Sequence, residues 1–147
     1  MEQLKIIEKV TAPTAWCSDL VAVPKANGSI RITLDPVFLN RAIRRPRYPI
    51  PSLDEYLPLM AKARFFSVLD AKDGFYQMRL SEQSTEATTF WTPIGRYKYL
   101  RVPQGISSAP EEYQQRQVEA YDGLSGVLVL ADDTIVFGSG DDDDTAR

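Results

Sequence analysis

Three aspartates at the ends of apolar segments are the residues best suited to chemistry. Asp70 follows the apolar residues 64–69, and Asp132 and Asp133 separate two short apolar segments further along the chain. Carboxylates that adjacent strands bring together can hold hard divalent cations such as Mg²⁺ and Mn²⁺, and a pair of such ions catalyses phosphoryl transfer. An Asp-Asp pair between two strands is also common turn chemistry, so the spacing alone leaves both interpretations open.

The composition excludes several other kinds of active site. The chain has 147 residues, no histidine and a single cysteine, Cys17. Serine–histidine triads, cysteine–histidine dyads, internal disulfides and multi-cysteine metal sites are therefore ruled out. Residues 1–10 are charged and amphipathic, without the apolar core of a signal peptide. We therefore expect an intracellular protein, in the cytoplasm or nucleus, that is neither secreted nor bound to a membrane.

The charge distribution is strongly uneven along the chain. Residues 1–101 carry a net charge of +5 and residues 102–147 a net charge of −8. A basic segment can bind a polyanion such as nucleic acid. The acidic run Asp141 to Asp144 is either a solvated tail or a calcium-binding module. The second interpretation is weak because the glycine and terminal glutamate of a Ca²⁺ loop are missing.

Turn residues predict three hairpins. Residues 20–35 predict one around Asn27-Gly28, a strong hairpin dipeptide. Residues 88–101 predict a second around Gly95, and residues 127–137 a third whose turn holds Asp132 and Asp133. Residues 64–69 are predicted as a buried strand that ends at Asp70.

Capping residues predict two helices. Ser52 and Glu55 have the spacing of a capping box, and Pro58 keeps this helix short. Serines followed by Pro110 predict a second helix that starts near residue 107 and runs to about Tyr121. Residues 41–51 are predicted as an extended connector. Because hairpins and helices alternate without β-α-β regularity, the fold class is predicted to be α+β.

Six short motifs occur in order within residues 16–140. They are Val23-Pro24-Lys25 with Gly28 and Arg31; Tyr48-Pro49-Ile50-Pro51; Phe66-Ser67-Val68-Leu69-Asp70 with Asp73-Gly74-Phe75; Phe90 with Gly95-Arg96-Tyr97; Val102-Pro103-Gln104-Gly105 with Ser108-Ala109-Pro110 and Tyr113-Gln114; and Leu130-Ala131-Asp132-Asp133. This series resembles the motifs of reverse transcriptases, especially those of gypsy-type LTR retrotransposons. The chain is identified from it as a member of that family.

The resemblance implies an RNA-directed DNA polymerase. Its catalytic residues would be Asp70, Asp132 and Asp133, which would hold two Mg²⁺ or Mn²⁺ ions together with the backbone carbonyl of Ala71. Asp133 would be the more peripheral ligand. The partners would be an RNA or DNA template with its primer and deoxynucleoside triphosphates. The primer 3′-hydroxyl would attack the α-phosphate of the incoming nucleotide.

The resemblance also assigns residues around the nucleotide and the primer. The nucleotide-binding residues would be Lys25, Arg31, Asp73, Gly74, Phe75 and Gln104. In the family, cations of the fingers hairpin grip the triphosphate, backbone N–H groups contact the phosphates, and an aromatic ring excludes a 2′-hydroxyl. The template–primer residues would be Leu130, Ala131 and Gly105. Without the resemblance these positions are ordinary hairpin charges, a core aromatic and a loop before a helix.

The implied architecture is that of right-hand polymerases, with fingers and a partial palm. The fingers would be residues 1–46 and 79–107, and the palm residues 47–78 and 108–147, with an antiparallel sheet backed by helices. Asp70 and Asp132 are expected on adjacent strands.

The chain is also expected to be a fragment of a Pol polyprotein. The thumb and RNase H domain would be absent from it, and the 147 residues alone are expected not to synthesise DNA processively.

Three positions depart from the family pattern, namely Leu130, Ala26 and Val37. The alternative is a truncated, non-catalytic remnant of a retroelement that at most binds nucleic acid weakly.

Overall fold

The computed structural model describes residues 1–26 and 28–139, and the acidic run Asp141 to Asp144 lies outside them. The chain forms two compact units. Unit 1 contains Met1–Arg45 and Phe75–Ala109, and unit 2 contains Pro46–Gly74 and Pro110–Arg147. Their boundaries lie close to the predicted division into fingers and palm, and the assignment of the two units to those subdomains stays a prediction.

The helices and strands follow in this order: β1 (Ile7–Val10), β2 (Asp19–Pro24), β3 (Ile30–Asp35), α1 (Val37–Ala42), α2 (Leu53–Tyr56), a 3-10 helix (Leu57–Met60), β4 (Phe65–Asp70), α3 (Gly74–Gln77), α4 (Glu82–Ala87), β5 (Phe90–Thr92), β6 (Gly95–Tyr99), α5 (Ala109–Ala120), β7 (Val127–Leu130) and β8 (Asp133–Gly138). The α+β class is confirmed. Within the part of the chain that the structure describes, no helix is both long and apolar enough to cross a bilayer.

Unit 1 contains two antiparallel sheets. Strands β2 and β3 pair along their whole length, from Asp19 opposite Asp35 to Pro24 opposite Ile30, which confirms the first predicted hairpin. The second predicted hairpin is confirmed as the β5–β6 pair. Strand β1 completes this second sheet by pairing with the other edge of β6.

Aromatic side chains form the core of unit 1. Leu34, Phe90, Tyr97 and Tyr99 are buried together. The ring centroids of Phe90 and Tyr99 lie 4.9 Å apart with the planes tilted by 40°, an arrangement that adds about 0.5–1.5 kcal/mol to the burial of the rings. This core fixes β3 against the sheet that contains β5 and β6.

Unit 2 is built on one three-stranded sheet in the order β4-β8-β7. The third predicted hairpin is confirmed as the β7–β8 pair, in which Leu130 lies opposite Asp133. Helix α5 begins at Ala109 and ends at Ala120, close to the predicted limits. The predicted capping box is also present: the Ser52 backbone N–H donates to the Glu55 carboxylate at 3.0 Å, and this contact lowers the pKa of Glu55.

Three predictions need correction. The strand predicted as buried, β4, is exposed at every position, because side chains on both of its faces, such as Phe66 and Leu69, are open to solvent. Asp132 does not lie in a strand but in the turn before β8, so the residue opposite Asp70 is Asp133. Arg41 belongs to α1 rather than to an extended connector.

Four elements carried no prediction, namely β1, α1, α3 and α4. Strand β1 depends on β6, a segment distant in sequence. Each of the three helices is six residues or shorter, which gives apolar periodicity too little length to show.

Candidate active site

Two carboxylates face each other at one end of the unit 2 sheet. Asp70 is the last residue of β4 and lies directly opposite Asp133, the first residue of β8. In the neighbouring pair the Ala71 backbone N–H donates to the Asp132 carbonyl at 3.2 Å. In an antiparallel ladder such bonded pairs alternate with unbonded ones, whose Cα atoms approach to about 4.5 Å. Asp70 and Asp133 therefore form a close, like-charged pair, and both are exposed.

The third carboxylate, Asp132, lies in the two-residue turn between β7 and β8. The residue before it, Ala131, has a left-handed backbone with φ of 55°. An L-residue pays about 1–2 kcal/mol for this conformation. The turn thus holds a strained backbone next to an exposed acidic side chain.

A buried glutamine of α5 fixes that turn. The Gln114 side chain is fully buried, with 0% exposure. Its Nε2 donates to the Val129 carbonyl at 2.9 Å, and its Oε1 accepts from the Ala131 backbone N–H at 2.8 Å. These two bonds join the Gln114 side chain to the backbone of the residues before and after Leu130. Helix α5 therefore sets the position of the turn that carries Asp132.

Tyr113, on α5, has a phenol of raised pKa and packs against Gly74. Burial raises the pKa of the Tyr113 phenol, the Gln117 side chain that hydrogen-bonds to it lowers that pKa, and the negative charges of Asp132 and Asp70 raise it. A Cβ placed on Gly74 would come within 2.8 Å of that ring and hydroxyl, so only glycine leaves room for Tyr113 here.

The three carboxylates are ligands of the chemical type that a hard divalent cation prefers. Asp70, Asp132 and Asp133 lie on two adjacent strands and the turn beside them, and carboxylate oxygens are the ligands that Mg²⁺ and Mn²⁺ prefer. Like charges opposite each other across a sheet are destabilising, and a cation would offset this repulsion. Among residues 1–26 and 28–139, however, no three acidic, histidine or cysteine side chains are gathered closely enough to hold a metal ion.

The predicted triphosphate-binding cations lie at the tip of the β2–β3 hairpin in unit 1. Arg31 lies opposite Val23 in the register. The backbone N–H of Lys25 donates to the Ser29 carbonyl at 2.8 Å and so closes the turn. Both cationic side chains are exposed. The fold thus brings Lys25 and Arg31 to the same end of one hairpin.

Gln104 and Gly105 form a tight loop against β3. The Leu34 backbone N–H donates to the Gln104 carbonyl at 3.0 Å, and Asn40 Nδ2 donates to the Gly105 carbonyl at 2.8 Å. Gly105 has a φ of 109°, and a Cβ there would sit 2.0 Å from the Leu34 carbonyl oxygen. The glycine is therefore required by contact with β3.

The remaining predicted nucleotide residues lie around the start of α3. Asp73 has a left-handed backbone with φ of 54° and is exposed, whereas the Phe75 side chain is half-buried. Unit 2 therefore carries the three carboxylates with Asp73 and Gly74. Unit 1 carries Lys25, Arg31, Phe75, Gln104 and Gly105.

Two residues of this region had no assigned role from the sequence. Tyr113 and Gln114 belong to a recognised motif, but only the structure shows that Tyr113 packs against Gly74 and that Gln114 holds the turn before Asp132. A polar residue on a helix carries no periodic apolar signal, so its burial could not be read from the sequence.

The chain matches a family model described as reverse transcriptase (RNA-dependent DNA polymerase) over residues 3–146. It is 32% identical over 146 residues to the retrovirus-related Pol polyprotein from transposon 412 of Drosophila melanogaster, a match that covers 92% of the chain and 12% of the relative. It is 33% identical over 119 residues to the Pol polyprotein from transposon gypsy of the same organism, covering 80% of the chain and 12% of the relative.

A plant virus protein and solved foamy virus structures are also similar. The enzymatic polyprotein of cauliflower mosaic virus (strain Strasbourg) is 32% identical over 143 residues, covering 95% of the chain and 21% of the relative. The foamy viral protease-reverse transcriptase dRH in complex with double-stranded DNA superposes with a TM-score of 0.85 at 21% identity, covering 95% of the chain and 24% of that protein. The foamy viral protease-reverse transcriptase in complex with an RNA/DNA hybrid superposes with a TM-score of 0.76 at 20% identity, and the match covers 92% of the chain and 18% of that protein.

Proposed function

The chain belongs to the reverse transcriptase family, and on that premise we propose that it is the part of an RNA-directed DNA polymerase that carries the catalytic carboxylates. The observation that carries the proposal is the pairing of Asp70 with Asp133 beside Asp132 at one end of the sheet. The chain spans 12% of the transposon Pol polyproteins that it matches. Because the chain corresponds to so small a part of these relatives, polymerase activity is proposed for it and does not follow from the family match alone.

We propose that Asp70, Asp132 and Asp133 hold Mg²⁺ or Mn²⁺, with the Ala71 carbonyl as a further ligand. Bound divalent ions would supply charge neutralisation and an activated hydroxyl for phosphoryl transfer. The protein's own contribution is to keep the carboxylates in place. Gln114 does so by one hydrogen bond to β7 and one to the turn, and Tyr113 does so by filling the space against Gly74.

We propose that the nucleotide-binding residues act through charge and shape. Lys25 and Arg31 present two exposed cations at one hairpin tip, which suits a triphosphate. Asp73 and Gly74 would offer backbone N–H groups to the phosphates. Phe75 would exclude a 2′-hydroxyl and so select deoxynucleotides, while Gln104 would contact the sugar.

We propose an RNA or DNA template with its primer as the macromolecular partner. The net charge of +5 over residues 1–101 favours a polyanion, and two of the similar foamy virus structures are complexes with double-stranded DNA and with an RNA/DNA hybrid. Leu130 and Ala131, next to the carboxylates, and Gly105 would lie near the template–primer. Action in the cytoplasm or nucleus is part of the same proposal.

Equilibrium dialysis of a deoxynucleoside triphosphate with and without Mn²⁺ tests this function. We expect Mn²⁺-dependent retention of the nucleotide by the 147-residue chain, lost in Asp132→Asn and kept in Asp54→Asn, which removes an exposed carboxylate of α2 in the same unit. Retention of RNA/DNA duplex without any retention of nucleotide would contradict the proposal and favour the non-catalytic remnant.

A further inference from the structure

A groove of about 480 Å³ in unit 1 carries charged side chains that none of the sites above uses. Residues of β1, α4 and β6 line it, together with residues of the segments that precede β1, precede α4 and follow β6. Its charged lining residues are four cations and two carboxylates, namely Lys5, Arg79, Lys98, Arg101, Glu8 and Glu82. This surface, the unit 1 groove, therefore has a net charge of +2.

Two arginines face each other in the unit 1 groove. Arg79 and Arg101 form an antiparallel bridge. The backbone N–H groups of Leu80 and Val102 each donate across this bridge at 3.1 Å, one on either side of the arginine pair. The arginines are therefore an unbonded pair, in which the Cα atoms approach to about 4.5 Å and the two side chains leave the same face of the ladder.

The charges of these two arginines repel each other. Within the part of the chain that the structure describes, neither Arg79 nor Arg101 belongs to an ion pair. By contrast, Lys98 Nζ lies 3.5 Å from the Glu8 carboxylate, so that pair is already neutral. Arg101 Nη1 donates to the Gln77 carbonyl at 3.1 Å, which fixes this side chain. Like charges directly opposite each other across a ladder are destabilising, and an anion held between the two guanidinium groups would offset the repulsion.

A pair of guanidinium groups is well suited to phosphate. Each group presents parallel N–H donors that match two oxygens. A phosphate is tetrahedral and presents oxygens to both arginines at once, whereas the two oxygens of a planar carboxylate are occupied by a single guanidinium. Arg79 is exposed and Arg101 half-buried, so a ligand reaches the pair directly from solvent. Lys5, which is also exposed, adds a third cation.

We propose that the unit 1 groove is a phosphate-binding site in which Arg79 and Arg101 together hold one phosphate group. It shares no residue with the carboxylates, the hairpin-tip cations or the other nucleotide-binding residues proposed above. The phosphate would come from the backbone of a single-stranded nucleic acid or from a free phosphate ion. The nucleic-acid source rests on the proposed function and on the net charge of +5 over residues 1–101, whereas the site itself rests on the arginine pair.

Fluorescence anisotropy of a short labelled oligothymidylate at low salt tests the nucleic-acid source. We expect Arg79→Gln to weaken binding at least about fivefold. It should also reduce the slope of log K against log salt concentration by about 0.7, the effect of one lost phosphate contact with a single strand. Lys9→Gln is the matched control, because it removes an exposed cation of β1 in the same unit that does not line the groove. It should leave both quantities close to their wild-type values.

Removing an acidic residue from the groove should have the opposite effect. Glu82→Gln is expected to tighten oligothymidylate binding about two- to fivefold, as for the loss of one exposed like-charged neighbour of the ligand. Glu86→Gln is the control, because Glu86 is also an exposed residue of α4 but does not line the groove. Circular dichroism should show an unchanged fold in every variant, since the substituted side chains are exposed.

Phosphorus NMR of inorganic phosphate, titrated at constant ionic strength in chloride, tests the site without nucleic acid. We expect Arg79→Gln to bind phosphate at least about fivefold more weakly than the wild type, and Lys9→Gln to bind it equally well. If this difference is found while oligothymidylate binding does not depend on Arg79, the site is confirmed and its ligand is a free phosphate ion.

Two results would overturn the proposal. One is that wild type and Arg79→Gln bind both oligothymidylate and phosphate equally. The other is that polyglutamate binds as tightly as oligothymidylate and with the same dependence on Arg79, because the groove would then recognise negative charge and not phosphate.

Mn²⁺-dependent retention of a deoxynucleoside triphosphate separates this proposal from the proposed function. Retention by Arg79→Gln together with its loss of phosphate binding would support both. A chain that retains no nucleotide but loses phosphate binding in Arg79→Gln would contradict the proposed function and support the groove alone.

Discussion

The Oε1 atom of Gln114 accepts a hydrogen bond of 2.8 Å from the backbone N–H of Ala131, the residue before Asp132. Ala131 holds a left-handed backbone, and such strain persists only where surrounding contacts enforce it. The neutral amide of a buried helix residue therefore supports the turn that carries the carboxylates.

We predict that Gln114→Met lowers the free energy of unfolding by about 1–3 kcal/mol, because it removes the acceptor of the Ala131 backbone N–H and one of the two donors to the Val129 carbonyl, to which the Tyr56 hydroxyl still donates. Urea denaturation followed by circular dichroism measures this. Gln115→Met is the matched control, since Gln115 donates to Glu119 on the exposed side of α5, and it should change the unfolding free energy by less than about 0.5 kcal/mol. Equal effects of both substitutions would contradict the role assigned to Gln114.

We predict that Gly105→Ala destabilises unit 1 by more than about 2 kcal/mol, because it adds a clash with the Leu34 carbonyl to an unfavourable φ. Gly28→Ala separates the two causes, since Gly28 also has a positive φ but has no atom within 4 Å of its Cβ position. It should cost only about 1 kcal/mol. Thermal unfolding of both variants provides the comparison, and a smaller loss for Gly105→Ala than for Gly28→Ala would exclude the clash.

We predict that the folded chain resists ionisation of Tyr99 in alkaline solution. Tyr99 is 1% exposed, and burial, followed by the neighbouring Tyr76, raises the pKa of its phenol well above the ordinary value. The neutral phenol therefore stabilises the fold below pH about 10, and this contribution is lost as the pH rises further. Phenolate absorbance should show a late phase that coincides with loss of circular dichroism and that is missing in Tyr99→Phe. Complete tyrosine titration with circular dichroism retained would contradict this.

We predict that Phe75→Val reduces discrimination against ribonucleotides, an expectation that rests on the proposed function. In Mn²⁺-dependent dialysis, the ratio of deoxy- to ribonucleoside triphosphate retained should fall several-fold, because the ring that blocks the 2′-hydroxyl is removed. Phe38→Val, which alters an exposed phenylalanine of α1, should leave the ratio unchanged. If Phe75→Val only lowers stability, Phe75 is a core residue and has no such role.

The sequence predicted the hairpins well because their turns have local signals. The β2–β3 and β7–β8 pairs follow from short apolar segments with turn residues between them. The capped helix α2 follows from Ser52, Glu55 and Pro58 in the same way. In each case the residues that decide the structure lie within a few positions of one another.

Features that depend on distant contacts could not be predicted. The apolar sequence of β4 predicted a buried strand, but burial depends on what covers the two faces of a strand, and β4 is exposed at every position whereas β7, the other edge of the same sheet, is not. Gln114 is buried because it bonds to β7 and its turn, distant in sequence. The same limit applies to the carboxylates: their sequence positions predicted a shared site, but only the register shows that Asp70 lies opposite Asp133 rather than Asp132.

Calorimetric titration with Mn²⁺ tests the central claim, that Asp70, Asp132 and Asp133 form a divalent cation site. The wild-type chain should bind Mn²⁺, Asp70→Asn and Asp132→Asn should bind it at least about tenfold more weakly, and Asp54→Asn should bind like wild type. The acidic run at 141–144 is the same in all four proteins, so any binding to it cancels in the comparison. Equal binding by the wild type and Asp70→Asn would contradict the account.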